Sequence, residues 1–325
     1  MSMQTTVPVM SRMKDEDLAF IREMGVEHVE LNIKEDEIDV GHLNEVRERF
    51  AQYGLTPVLL SCNALQKNKI IDLGLEGKDE EIRKFNEFVK VAAEAGYHTV
   101  SVAWQPNGIH RSGRAVRPQT RGGVSAYFDA ADGSIEEIKN DRVYTVDEIW
   151  KNFEYFLEGV GPTMQECGVR MALHPNDPPV EYVCGVGSLI YRSDDYRRAF
   201  ALDKWDCVGV KLCIGCWLEG GEQFGNVIKD IEEFVAADKV VSVHFRNVSG
   251  TVPYFEETLD EDGYANMYEI MKTLVRSGYK GPISVDHAFK GYESFGGMLG
   301  AFAYPTGHMK GMERAAEIEL GLRDR

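Results

Sequence analysis

The chain has 325 residues, of which 43% are hydrophobic, and it carries 53 Asp and Glu against 36 Lys and Arg, for a formal charge of −17. That length suits two average domains or one large α/β barrel of ~250 residues, and the composition is ample for a buried core. The acidity argues against a nucleic-acid or anionic-membrane surface, because phosphate binding needs concentrated Lys and Arg.

Residues Met1 to Thr6 lack the charged and apolar regions of a signal peptide. No run approaches the ~20 apolar residues that a membrane helix needs. Six cysteines (Cys62, Cys167, Cys184, Cys207, Cys213 and Cys216) are scattered along the chain. The expectation is a cytoplasmic protein with free thiols rather than a disulfide framework.

Residues 5–10 read as a first strand, and Lys14 to Met24 as a helix closed by Gly25 in the manner of a C-cap. Glu27 to Leu31 alternates like a strand, and His42 to Tyr53 is helical and stops at Gly54. Leu55 to Leu60 is a third strand. Lys78 to Ala95 is a long amphipathic helix with Ile82, Phe85, Phe88, Val89 and Ala92 on one face, ended by Gly96. His98 to Ala103 is a fourth strand. The same period resumes with a helix from Val146 to Cys167 and four further strands, so eight βα units fit the chain. Strict alternation implies a parallel sheet, and eight units favour closure into a single (β/α)8 barrel spanning residues 1–325.

Two segments interrupt the rhythm. Gln105 to Tyr144, after the fourth strand, is long and contains Arg111, Arg114, Arg117, Arg121 and Arg142. Such a loop lies on the catalytic face. It is suited either to a substrate carboxylate or phosphate, or to a surface excursion or subunit contact. Ser249 to Gly263, after the seventh strand, carries Glu256, Glu257, Asp260, Glu261 and Asp262. It could cover the site, and most of these acids are expected in solvent.

The last four strands each end on a residue able to bind a metal. Arg170 to Leu173 ends at His174, Cys207 to Leu212 at Cys213, Val240 to Val243 at His244, and Pro282 to Val285 at Asp286. In a (β/α)8 barrel those ends converge on one face. Two imidazoles, a thiolate and a carboxylate there suit a divalent transition metal such as Mn, Fe, Co or Zn, and not Mg, which prefers oxygen alone. Cys213 and Cys216 have CxxC spacing, but no second pair lies nearby, so Cys213 is read as the ligand and Cys216 as a bystander. Three prolines in His174-Pro175-Asn176-Asp177-Pro178-Pro179 imply a rigid turn that holds the His174 ring. Arg246 is a partner either for a substrate carboxylate or for a neighbouring strand's acid. His287, next to Asp286, stands where it could move a proton.

These stretches resemble the mannonate dehydratase family, a branch of the xylose-isomerase-like metal-dependent TIM barrels. The resemblance is carried by His174 to Pro179, Leu212 to Gly215, His244-Phe245-Arg246-Asn247, Asp260 to Met267 and Asp286-His287. It extends more weakly to Phe20 to Val26 and Leu73 to Asp79. It implies a metal, manganese in the family, held by His174, Cys213, His244 and Asp286. The implied reaction removes water from D-mannonate to give 2-keto-3-deoxygluconate, in a homodimer, with a sugar acid as the partner. It also implies proton transfer by His287 and by a tyrosine that Tyr304 matches best, Tyr292 being second, with Arg246 stabilising developing charge. The chain departs from the family at Asn176 (usually Asp), at Phe289 (His), at Tyr254-Phe255-Glu256 (Phe-His-Glu) and at Ser284-Val285 (Arg-Pro). A sugar isomerase or epimerase on the same barrel is the alternative, and the Cys ligand argues against it.

Overall fold

Eight apolar runs form strands in the computed structural model, which describes residues 2–287 and 297–324. They are β1 (Gln4–Met10), β2 (His28–Ile33), β3 (Thr56–Cys62), β4 (Thr99–Ala103), β5 (Arg170–His174), β6 (Val208–Cys213), β7 (Val240–Phe245) and β8 (Pro282–Val285). Each pairs in parallel with its neighbours, and β1 pairs with β8 to close the barrel. Closure leaves no edge strand in the barrel, and the parallel direction sends every C-terminal end to the same mouth.

The connecting helices follow the sequence pattern closely. Lys78–Glu94 buries Ile82, Phe85, Phe88, Val89 and Ala92, and Phe85 meets Phe156 of the next long helix edge-on at 5.1 Å. Gly25 and Gly96 have φ of 73° and 82°, the left-handed turn with which a helix hands over to the next strand. The helix Val146–Cys167 opens on a capping box, Thr145 bonding the Glu148 N–H and Glu148 reaching back to Thr145.

The two interruptions turn out to be one structure. Gly113–Val116 and Val124–Asp129 pair antiparallel within the loop after β4. Tyr254–Thr258, from the excursion after β7, adds antiparallel to Val124–Asp129, and Asn247–Val248 completes a sheet of four strands. The expectation that the acids of Ser249 to Gly263 face solvent is therefore corrected. Glu256, Glu257 and Asp260 are buried, and Glu256 and Glu257 pair with Arg117 and Arg111, while Glu261 and Asp262 hold Arg121. Opposite net charge on two neighbouring excursions draws them together, and strand pairing then takes both out of water.

Candidate metal centre

His174, Cys213, His244 and Asp286 stand at the ends of β5, β6, β7 and just past β8, so barrel closure alone brings them to one mouth. Register sets Cys213 directly opposite His244 across β6 and β7. Cys213 belongs to two overlapping groups of potential ligands, one with His174 and Cys216, the other with His244 and Asp286. Its Sγ lies 3.5 Å from Asp286 Oδ2, and the His174 and His244 ring centres are 5.4 Å apart.

Each donor is prepared by its neighbours. His174 Nδ1 lies 2.7 Å from the Pro175 carbonyl, which can only accept, so Nδ1 carries the proton and Nε2 keeps its lone pair. Burial opposes ionisation of Cys213, yet its neighbours, the Cys216 thiol foremost, hold its thiol well below the usual range. Burial pushes the Cys216 thiol up, so Cys216 stays a thiol and donates to Cys213. It is no ligand in that form, but it is closer to the centre than a bystander. Asp286 is held well below the usual carboxylate range although buried, through His287, His244 and Arg246.

A divalent ion fits this set on the structure's own terms. His244 Nδ1 is buried, faces Asp286 Oδ1 at 3.2 Å, and makes no hydrogen bond. Two imidazole nitrogens, a thiolate and a carboxylate around such an orphaned atom are a borderline-soft donor set.

Around the donors lies a charge network of which the sequence reading named only part. Arg246 Nε donates to Asp286 Oδ2 at 2.9 Å and Nη1 to Glu219 Oε1 at 2.8 Å. Arg111, from the loop after β4, donates to Glu257 at 2.9 Å, to Glu219 at 3.2 Å and to both oxygens of Asp177. Glu219 is pushed well above the usual range by burial and by Asp177, so these two acids do not both carry full charge. Beneath the centre, inside the barrel, Glu30 accepts from Thr6 and Ser284, faces Lys211 at 3.2 Å and lies 4.0 Å from His244 Nε2. Glu30 and Lys211 went unassigned in the sequence, yet a charged residue inside each of two apolar strand runs was the available signal.

His287 lies beside the candidate donors, with Nδ1 2.7 Å from Glu257 and Nε2 3.4 Å from Asp286. Burial opposes its protonation, but Asp286 and Glu257 push the imidazole up to about 9. It lines a hollow with Arg246, Asp286, Asp260, Ala301 and Pro305, so the helix Gly297–Glu319 walls the site. Tyr304 is on that helix but is not brought to the donors. It is 53% exposed, and its hydroxyl bonds Glu261 and Arg121. Tyr292 and Phe289 lie outside the described residues.

The fold and this cluster define a (β/α)8 barrel with a candidate divalent-metal site at the C-terminal ends of its strands. Solved structures share that fold. The mannonate dehydratase of Streptococcus suis serotype 2 superposes with a TM-score of 0.86 at 20% identity, over 98% of this chain and 95% of that one. A 3-keto-D-glucoside 4-epimerase from E. coli gives 0.63 at 13% identity, over 95% of this chain and 100% of that one. In sequence, the mannonate dehydratase of Lactococcus lactis subsp. cremoris is 26% identical over 252 residues, 67% of this chain and 70% of that protein. A model of the D-mannonate dehydratase (UxuA) family matches residues 132–312, more than half of the chain. The chain belongs to that family of hydro-lyases.

Proposed function

We propose that the protein removes water from D-mannonate to give 2-keto-3-deoxy-D-gluconate, with a divalent ion, Mn2+ before Fe2+, Co2+ or Zn2+, held by His174, Cys213, His244 and Asp286. The observation that carries this is that Cys213 groups with His174 on one side and with His244 and Asp286 on the other, beside His287, in a chain of this family. A bound divalent ion supplies Lewis-acid stabilisation of the charge that develops on the substrate's carboxylate as the C2 proton leaves. Arg246, fixed against Asp286 and Glu219, contributes a buried positive charge to the same region and does not reorganise during the reaction. His287, protonated and gripped at Nδ1 by Glu257, is placed to give its Nε2 proton to the departing 3-hydroxyl. The C2 proton passes to a general base, the 3-hydroxyl leaves as water on the His287 proton, and the C2–C3 enol so formed takes up a proton at C3 to become the 2-keto product. Tyr304 would take part in proton transfer only when Glu261 and Arg121 release its hydroxyl, and Tyr304→Phe tests whether it does.

The same reading makes the protein a cytoplasmic homodimer, which light scattering and fractionation check. All six cysteines being free supports a reducing compartment. No helix among the described residues is long and apolar enough to cross a membrane.

The test strips the protein of metal, reloads it with Mn2+, and follows 2-keto-3-deoxy acid formation from a panel of aldonic acids. Cys213→Ala is expected to lower turnover by more than about 100-fold, beyond what loss of a ligand's supporting partner costs. Product from another aldonate and not from D-mannonate would move the substrate assignment. Epimers of free ketoses in place of any keto acid would overturn the dehydratase reading.

A further inference from the structure

The cations grouped around the centre are Lys67, Arg111, Lys211 and Arg246, and three of them are matched. Arg111 is held by Asp177, Glu219 and Glu257, Arg246 by Glu219 and Asp286, and Lys211 by Glu30. Lys67 is the exception. It caps the short helix Asn63–Gln66, which follows β3 directly, so it stands at the same mouth as the metal ligands. Its side chain is half-buried, and among the described residues its ammonium has no hydrogen bond and no ion pair within 4 Å. The acids whose field reaches it are Asp177 and Asp286, from the β5 and β8 ends, with Asp72 behind them. Asp72 is itself buried and pushed well above the usual carboxylate range, so it adds little negative charge.

A cation drawn partly out of water without a partner is costly, and an incoming anion offsets that cost. A sugar acid brings one carboxylate, and Arg246 is already committed to carboxylates of the protein. We propose that Lys67 is the specificity-determining contact for the substrate's carboxylate, reaching it from the loop after β3. This rests on the dehydratase reading for the identity of the substrate. Lysine serves such a role as a compact point charge on a flexible stem, adapting to an acid whose other oxygens are fixed elsewhere.

The experiment uses the full chain loaded with Mn2+ and compares wild type with Lys67→Met and Lys67→Arg. Turnover is measured on D-mannonate, and binding is measured by calorimetry for D-mannonate and for D-mannitol, which has the same carbon chain without the carboxylate. The expected result for Lys67→Met is a KM for D-mannonate raised about 10- to 100-fold, as for a lost charged hydrogen bond, with kcat changed less. Its preference for D-mannonate over D-mannitol should vanish, and Lys67→Arg should restore part of it. Calorimetry with Mn2+ and a thermal melt, both unchanged, would show that the centre and fold persist. An unchanged KM together with an unchanged preference overturns the assignment. A wild type that binds D-mannonate selectively but turns over no sugar acid refutes the dehydratase reading alone, and the binding comparison still decides Lys67. A wild type that binds D-mannonate no better than D-mannitol overturns Lys67 as a carboxylate contact.

Discussion

At the scale of single residues, the site gives Arg111, Lys211 and Arg246 counter-charges and, among the described residues, leaves Lys67 without one. Asn176 shows how a departure from the family pattern can be structural. Its amide nitrogen donates to the Trp104 carbonyl at 3.1 Å and its oxygen accepts from the Ile190 N–H at 3.0 Å. An ionised Asp could accept but not donate, so the amide ties the β4 end to the turn that follows His174. Glu30 and Lys211 are a second case. Glu30→Gln should leave the Lys211 charge buried at the base of the centre and cost about 3 kcal/mol in a denaturant melt. Adding Lys211→Met should recover most of that loss. A double variant as unstable as the sum of the two singles would show that the pair is not coupled.

Elements position these residues. The turn after β6 is one: a Cβ on Gly215 would run into the Arg246 guanidinium, so only glycine lets Arg246 lie across Cys213 and reach Asp286. Gly215→Ala should displace Arg246 and lower turnover at least about tenfold, since supporting partners of metal ligands are worth that much. Retained Mn2+ binding would show that Arg246, not the ligand set, was lost. The helix Gly297–Glu319 is held against the β7 excursion partly by His308, which faces Asp260 at 3.8 Å and Glu261 at 3.5 Å, with Arg121 opposing. The neighbouring carboxylate of Asp260, with that of Glu261, outweighs burial and holds the His308 imidazole above its usual 6.5. A pKa raised on folding gives stability that is full below about 6.5 and is lost as pH rises through the raised value. Thermal melts of His308→Gln should therefore lack part of the wild-type decline above pH 6.5. A variant with the same pH dependence would exclude this contact as its source.

For the molecule as a whole, the proposed metal centre would join four strands that meet only when the barrel is closed, which would link ion binding to folding. An ion that binds only the folded chain adds about 2.7 kcal/mol of stability at a hundred times its Kd. Chelation should lower the melting temperature, Mn2+ should restore it, and Cys213→Ala should abolish the difference. A melt indifferent to chelator and Mn2+ would argue against the four-donor centre, whatever the activity.

How much was legible follows from which contacts are local. The strands, the glycine-ended helices and the closed barrel were readable because hydrophobic period and helix caps are properties of short segments. The candidate ligands were readable for the same reason: His174, Cys213, His244 and Asp286 are defined by being the residue after an apolar run. Arg111 with Glu257, and the cap sheet built from Val124–Asp129 and Tyr254–Thr258, were not. Each segment pairs locally, with Gly113–Val116 and with Asn247–Val248, but nothing in either spacing specifies the other. Lys67, Asp177 and Glu219 likewise looked like ordinary loop and helix residues. The sequence by itself determined the barrel, its direction and the candidate donor types at its mouth, since local periodicity settles those. Only the tertiary structure decided which charges neutralise one another, and which cation is left over, because burial and Coulomb energy depend on distances that exist only once the barrel has closed.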